Sequence, residues 1–165
     1  MKLISIPVTA AALAFAVAGC GGGSSSSSSS TTAKQPTSAT KSAASATTVD
    51  VRKSDLGRML TDGSGRTLYL FEKDKGTAST CYGGCATAWP PLTTSGAPKA
   101  GTDVKASALG TTKRKDGTSE VTYHGHPLYY YVGDSGPGST TGQGLDQFGA
   151  EWYVLAPTGN KIDKS

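Results

Sequence analysis

The stretch Cys81-Tyr82-Gly83-Gly84-Cys85 places two thiols four positions apart beside two glycines, the arrangement in this chain best suited to chemistry. Paired thiols can oxidise to a staple, exchange disulfides, or bind a soft metal as thiolates. His124 and His126, in the run His124-Gly125-His126-Pro127, would supply imidazoles to a copper or zinc site. Glycine and proline already explain that run as a turn, however. Asp74 and Asp134 each follow an aromatic run and suit either an Asx-type turn or a pair of Ca²⁺ ligands. The aromatics Tyr69, Phe71, Tyr129 and Tyr131 suit a core, or a platform for a sugar or other flat ring.

No nucleophile, base and orienting group assemble from the remaining residues, so a non-enzymatic role is expected. Gly133-Asp134-Ser135-Gly136 resembles the nucleophile loop of trypsin-like proteases. Both histidines fall only nine to eleven residues before Ser135, which is not that family's order. Gly142-Gln143-Gly144 follows no clear strand and opens no clear helix, so it is no dinucleotide fingerprint.

The elements that must position these residues read as β. Alternation puts Tyr69 and Phe71 on one face of a strand and Leu68 and Leu70 on the other, with Tyr129 and Tyr131 opposed to Leu128 and Tyr130 in the same way. Both faces are apolar, so these strands are expected to be central. Asp62-Gly63-Ser64-Gly65 and Asp116-Gly117 are hairpin signals. The Lys113-Arg114-Lys115 cluster beside the second reads as a solvated shoulder. No segment carries sustained helical periodicity.

The domain also repeats itself. LYLFEKD at 68–74 matches LYYYVGD at 128–134, SDLG at 54–57 matches SALG at 107–110, and Trp89 matches Trp152. The offsets imply an extra hairpin arm around KRKDG. The expected architecture is one small, mainly β domain at 49–165, made of antiparallel hairpins in two related repeats, about 52–95 and 105–157.

Ahead of it, Lys2 precedes an apolar run that ends in small residues and Cys20, the layout of a secretory leader. The run Val17-Ala18-Gly19-Cys20 resembles the bacterial lipoprotein box. That resemblance implies cleavage after residue 19, a diacylglycerol thioether and an N-acyl chain on Cys20, and a lipid anchor on the extracytoplasmic face of the bacterial envelope. Residues 20–48, rich in serine and threonine, form a flexible tether. Removing Lys2 with the leader leaves fifteen of the sixteen basic side chains against twelve acids, a net charge of about +3. The basic residues are scattered, which excludes a nucleic-acid face.

The pattern Tyr-x-[Phe/Trp/Tyr]-x-x-Asp occurs twice. With the lipoprotein box and CYGGCATAWPPL, it makes the chain resemble the bacterial "secreted repeat of unknown function" family of lipoproteins. The resemblance supports export and two repeats and implies no catalytic residue. If lipidation consumes Cys20, one cysteine pair is left in a disulfide-permissive compartment, so a Cys81–Cys85 staple worth about 2 kcal/mol is the leading reading. Cys81 and Cys85 also resemble the C-x-x-x-C copper-delivery motif of exported Sco-type proteins, which keeps a redox or copper-handling role as the alternative. The expected function is a membrane-anchored binding or envelope-interaction module for a small ligand or envelope component, without a cofactor.

Overall fold

The computed structural model describes residues 46–164; the leader, Cys20 and most of the tether lie outside the described residues. The domain begins with an antiparallel hairpin, β1 (Thr48–Ser54) and β2 (Gly57–Asp62). Its two-residue turn is closed by Ser54 Oγ, which accepts the Leu56 N–H at 3.2 Å, and by Gly57 at φ 109°, which a side chain would strain. Asp62 then caps the second turn. Its Oδ1 accepts the Ser64 and Arg66 N–H groups at 2.8 and 2.9 Å and aims the chain into β3 (Tyr69–Phe71). A single helical turn, α1 (Gly84–Ala88), leads to Trp89, and β4 (Lys99–Ala100) lies parallel to β1 on the connection between repeats.

The second repeat opens with the hairpin β5 (Leu109–Lys113) and β6 (Ser119–Tyr123), followed by β7 (His126–Pro127), which runs into Leu128–Tyr131. β8 (Leu145–Gln147) and β9 (Ala150–Val154) complete it. The hairpin β1–β2 is answered by β5–β6. Leu68 N–H donates to Leu60 O at 3.1 Å, and Leu128 N–H to Val121 O at 3.0 Å. This corrects one of the sequence matches. Ser54–Gly57 is the turn inside a hairpin, whereas Ser107–Gly110 leads into β5. The KRKDG segment is therefore the end of the second hairpin and not an added arm.

The halves are intertwined. Each repeat's last strand pairs with the tyrosine strand of the other repeat. β9 pairs with β3, with Phe71 opposite Trp152. Reciprocally, Leu92 N–H donates to Leu128 O at 2.7 Å and accepts through its carbonyl from Val121 N–H at 2.8 Å. Leu155 repeats this against Leu68 and Leu60, at 3.3 and 2.8 Å. At the centre Tyr69 and Tyr129 exchange both backbone bonds, at 2.9 and 3.0 Å.

The expected two-faced burial holds. Leu68, Leu70 and Leu128 pack with Leu60, Leu92, Val121 and Leu155 on one side. Tyr69, Phe71 and Tyr129 pack with Met59, Trp89, Trp152 and Val154 on the other. Full burial of side chains of this size contributes about 1.5–3 kcal/mol each before ordering entropy is subtracted. Arg114 departs from expectation. It is 3 % exposed, not a solvated shoulder, because its guanidinium turns inward to a buried glutamate.

Candidate functional site

The two motif aspartates hold the repeats together reciprocally. Tyr69 donates its phenol to Asp134 Oδ2 at 2.9 Å, and Tyr129 donates to Asp74 Oδ2 at 2.5 Å. The other oxygen of each carboxylate fixes the following loop. Asp74 Oδ1 accepts from the N–H and hydroxyl of Thr80, both at 2.7 Å, and Asp134 Oδ1 accepts from those of Thr141 at 2.9 and 2.8 Å. Charge-assisted bonds of this kind are short and strong. Asp134 therefore serves the fold, not a serine nucleophile. Neither aspartate joins a cluster of metal ligands among the described residues.

The aromatic platform expected at Tyr69, Phe71, Tyr129 and Tyr131 is corrected. The first three are 0, 2 and 0 % exposed and present no face to a ligand; Tyr131 is half-buried. Their rings instead form a column with the tryptophans. Phe71 stacks on Trp152 at 4.0 Å, Trp152 on Trp89 at 4.0 Å, and Trp89 on Tyr131 at 4.3 Å. The column is closed laterally by Gly142, where a Cβ would come 2.7 Å from the Trp89 ring.

Cys81 and Cys85 form a disulfide and are buried beside Trp89, at 0 and 7 % exposure. Their sulfurs are bonded to each other, and no group of three or more histidine, cysteine or acidic side chains is gathered for a metal among the described residues. The pair is thus in its oxidised, stapled form. His124 sits at φ 48° in an exposed turn over Gly159.

Below the disulfide lies a polar cluster that sequence reasoning missed. Arg114 donates to Glu120 Oε2 at 2.6 Å, to Ser79 Oγ at 2.7 Å and to the Cys81 carbonyl at 2.7 Å. Ser79 in turn lies 2.7 Å from the Tyr129 phenol oxygen. Glu120 is 0 % exposed, and its Oε1 has no hydrogen-bond partner among the described residues. Burial pushes this carboxyl up to about 7, against the opposing pull of Arg114. The position that Glu120 takes in β6 is held in β2 by Met59, so one repeat fills with a charge what the other fills with a thioether.

His126 marks a concave feature rimmed by chemistry-bearing residues of both repeats. A cleft of about 640 Å³ opens between the end of β3, the His126 turn and the Gly159–Lys161 loop, lined by Leu70, Phe71, Lys75, His126, Asn160 and Lys161. Burial lowers the His126 imidazole below its ordinary range; His124 adds to this and Asp74 opposes it. Lys161 is held by Glu72 at 2.8 Å and lies over the Tyr153 ring at 4.0 Å. The His126 and Asn160 side chains make no hydrogen bond within the described residues. In the first repeat the corresponding residue is Arg66, whose guanidinium lies over the Tyr130 ring at 3.9 Å.

These features define an intertwined two-repeat β domain with a polar cleft at its seam. The sequence profile described as "secreted repeat of unknown function" matches residues 50–93 and 110–156, together more than half of the chain. The chain belongs to that family, and the two matched segments are the two halves seen in the fold. No curated protein and no solved structure matches it.

Proposed function

We propose that the protein is an extracytoplasmic, lipid-anchored module that binds an envelope component or small ligand in the cleft beside His126, without catalysing a reaction. The observation carrying this reading is the cleft itself. Its charged rim comes from Lys75 and Lys161, and His126 and Asn160 bring polar groups with no hydrogen-bond partner among the described residues, over a floor closed by the buried Leu70 and Phe71. A concave site with a few convergent polar groups can orient a small polar ligand. The anchor rests on Cys20 and the membership of a family of secreted repeats.

Both parts are tested together. Membrane fractions are probed for the wild type and Cys20→Ser, and the isotope-labelled protein is titrated by NMR with soluble cell-wall glycan fragments. Release of the Cys20→Ser protein, with shifts confined to Leu70–Gly76, His126 and Gly159–Lys161, is the expected result. Unchanged membrane retention overturns the anchor. Shifts elsewhere, or shifts that survive His126→Ala with Asn160→Ala, overturn the cleft.

A further inference from the structure

The rings at the centre of the domain form a continuous path between two phenols. Tyr129 meets Trp152 edge-on at 5.2 Å, Trp152 lies on Trp89 at 4.0 Å, and Tyr69 meets Trp89 edge-on at 5.3 Å. Tyr131, half-buried, stacks on Trp89 and brings one end of the column to solvent. Indole and phenol are the aromatic side chains most readily oxidised by one electron. A phenol gives up its electron readily only when a base takes the proton at the same time. Both buried phenols have that base in hydrogen-bond contact, Asp134 for Tyr69 and Asp74 for Tyr129.

The hydroxyls do more than fill space: Phe71 occupies the same column without one, whereas Tyr69 and Tyr129 each hold a carboxylate of the other repeat. Burial and the adjoining carboxylates hold both phenols well above their ordinary range, so each keeps its proton at rest. Tyr130 and Tyr153 also donate to carboxylates, Asp62 and Glu151, but their rings lie in the other core cluster, away from the tryptophans.

We propose that Tyr69, Trp89, Trp152 and Tyr129 are a one-electron relay, entered through Tyr131, that stores an oxidising equivalent as a neutral tyrosyl radical. A one-electron oxidant at the Tyr131 face removes one electron from the tryptophan pair and is itself reduced by one, leaving an indole radical cation. Tyr69 or Tyr129 then returns one electron to the indole. The phenolic O–H bond breaks, and the proton forms a new O–H bond on Asp134 or Asp74. The products are a closed-shell tryptophan, a neutral phenoxyl radical and a carboxylic acid. A one-electron donor reverses the sequence as the carboxyl returns its proton.

The test photo-oxidises the purified protein with flash-generated ruthenium(III) tris-bipyridine, using a cobalt(III) ammine as sacrificial acceptor, and follows radicals by transient absorption and EPR. The expected course is a tryptophan radical that converts to a tyrosyl radical, more slowly in deuterium oxide. Tyr69→Phe with Tyr129→Phe stops the course at tryptophan with loss of the tyrosyl signal, while Tyr130→Phe with Tyr153→Phe leaves it intact. Asp74→Asn with Asp134→Asn keeps the side-chain volumes and slows the conversion. Near-UV circular dichroism establishes that the ring column survives in each variant. Undiminished tyrosyl yield in the Tyr69/Tyr129 variant would place the radical on a surface tyrosine and overturn the relay. So would the absence of any tryptophan radical in the folded wild type. A conversion rate unchanged in the asparagine variant overturns the assignment of the aspartates as proton acceptors.

Discussion

Trp89 and Trp152, one from each repeat, lie face to face with ring centroids 4.0 Å apart and planes 6° from parallel. The approximate twofold relation between the halves passes between them. On either side, an aromatic from the opposite repeat covers each indole, Phe71 on Trp152 and Tyr131 on Trp89. The contacts that matter for stability therefore cross between repeats, and neither half can complete its own core.

That crossing predicts survival of a cut chain. A protease site inserted after Thr102, in the exposed connection, is expected to give two fragments that stay together in native mass spectrometry and separate only in denaturant. The disulfide lies wholly within the first fragment, so it cannot hold them. Fragments that part on cleavage would mean that the crossed contacts do not carry the association.

Removing one crossed phenol has a defined cost. Tyr129→Phe leaves Asp74 Oδ2 without its phenol donor, while the Ser79 hydroxyl keeps Arg114 and the Cys81 N–H. An unsatisfied buried polar group costs about 1–3 kcal/mol, and urea unfolding is expected to show a loss of that order with an unchanged slope. Asp74→Ala in the same background is expected to add less than it costs alone, by the one interaction the two share, while still losing both bonds to Thr80.

The Cys81–Cys85 staple closes a short ring, so its contribution is modest. Replacing both cysteines by serine is expected to lower stability by about 2 kcal/mol while the fold persists, as read by thermal unfolding. The second repeat, which holds Gly142 and Leu145–Gln147 against the column without a disulfide, shows that the topology does not depend on one.

Glu120 makes stability depend on pH in an unusual direction. Its folded-state value, about 7, lies above that of an exposed glutamate, so the native state binds the proton more tightly than the unfolded chain does. Its favourable contribution is complete below the unfolded value, near pH 4 to 5, and is lost as pH rises through about 7. Denaturant midpoints are expected to fall across that window, and Glu120→Gln is expected to flatten the profile. A profile as steep in the variant as in the wild type would assign the dependence to another group.

Much of the fold was legible in the chain because β alternation is local. Leu68-Tyr69-Leu70-Phe71 and Leu128-Tyr129-Tyr130-Tyr131 announce strands that are apolar on both faces, and each does divide between two core clusters. The turns at Asp62 and Asp116 are legible for the same reason, since an aspartate side chain bonds backbone two residues on. The β1–β2 hairpin was not among the expected ones, although Val49 and Val51 alternate with Asp50 and Arg52 ahead of its turn at Ser54–Gly57.

The partner residues were harder to see. The Ser79-Thr80 and Thr140-Thr141 pairs, a few residues after Asp74 and Asp134, are a signal that could have identified each aspartate as a loop staple. Nothing local marks Arg114 or Glu120 as buried. Their burial depends on Ser79 and the Cys81 carbonyl, more than thirty residues away.

The sequence by itself determined the repeats, the strands, the cysteine pair and the aspartates that close each motif, because these depend on side-chain types at short spacing. Only the tertiary structure decided that Tyr69 answers to Asp134 and Tyr129 to Asp74. A phenol and a carboxylate five residues apart can bond within one repeat or between two. The choice falls to the strand exchange, which brings the far aspartate to each phenol and buries the aromatics that looked like a binding surface. That is a property of long-range pairing, to which no local pattern of residues is bound.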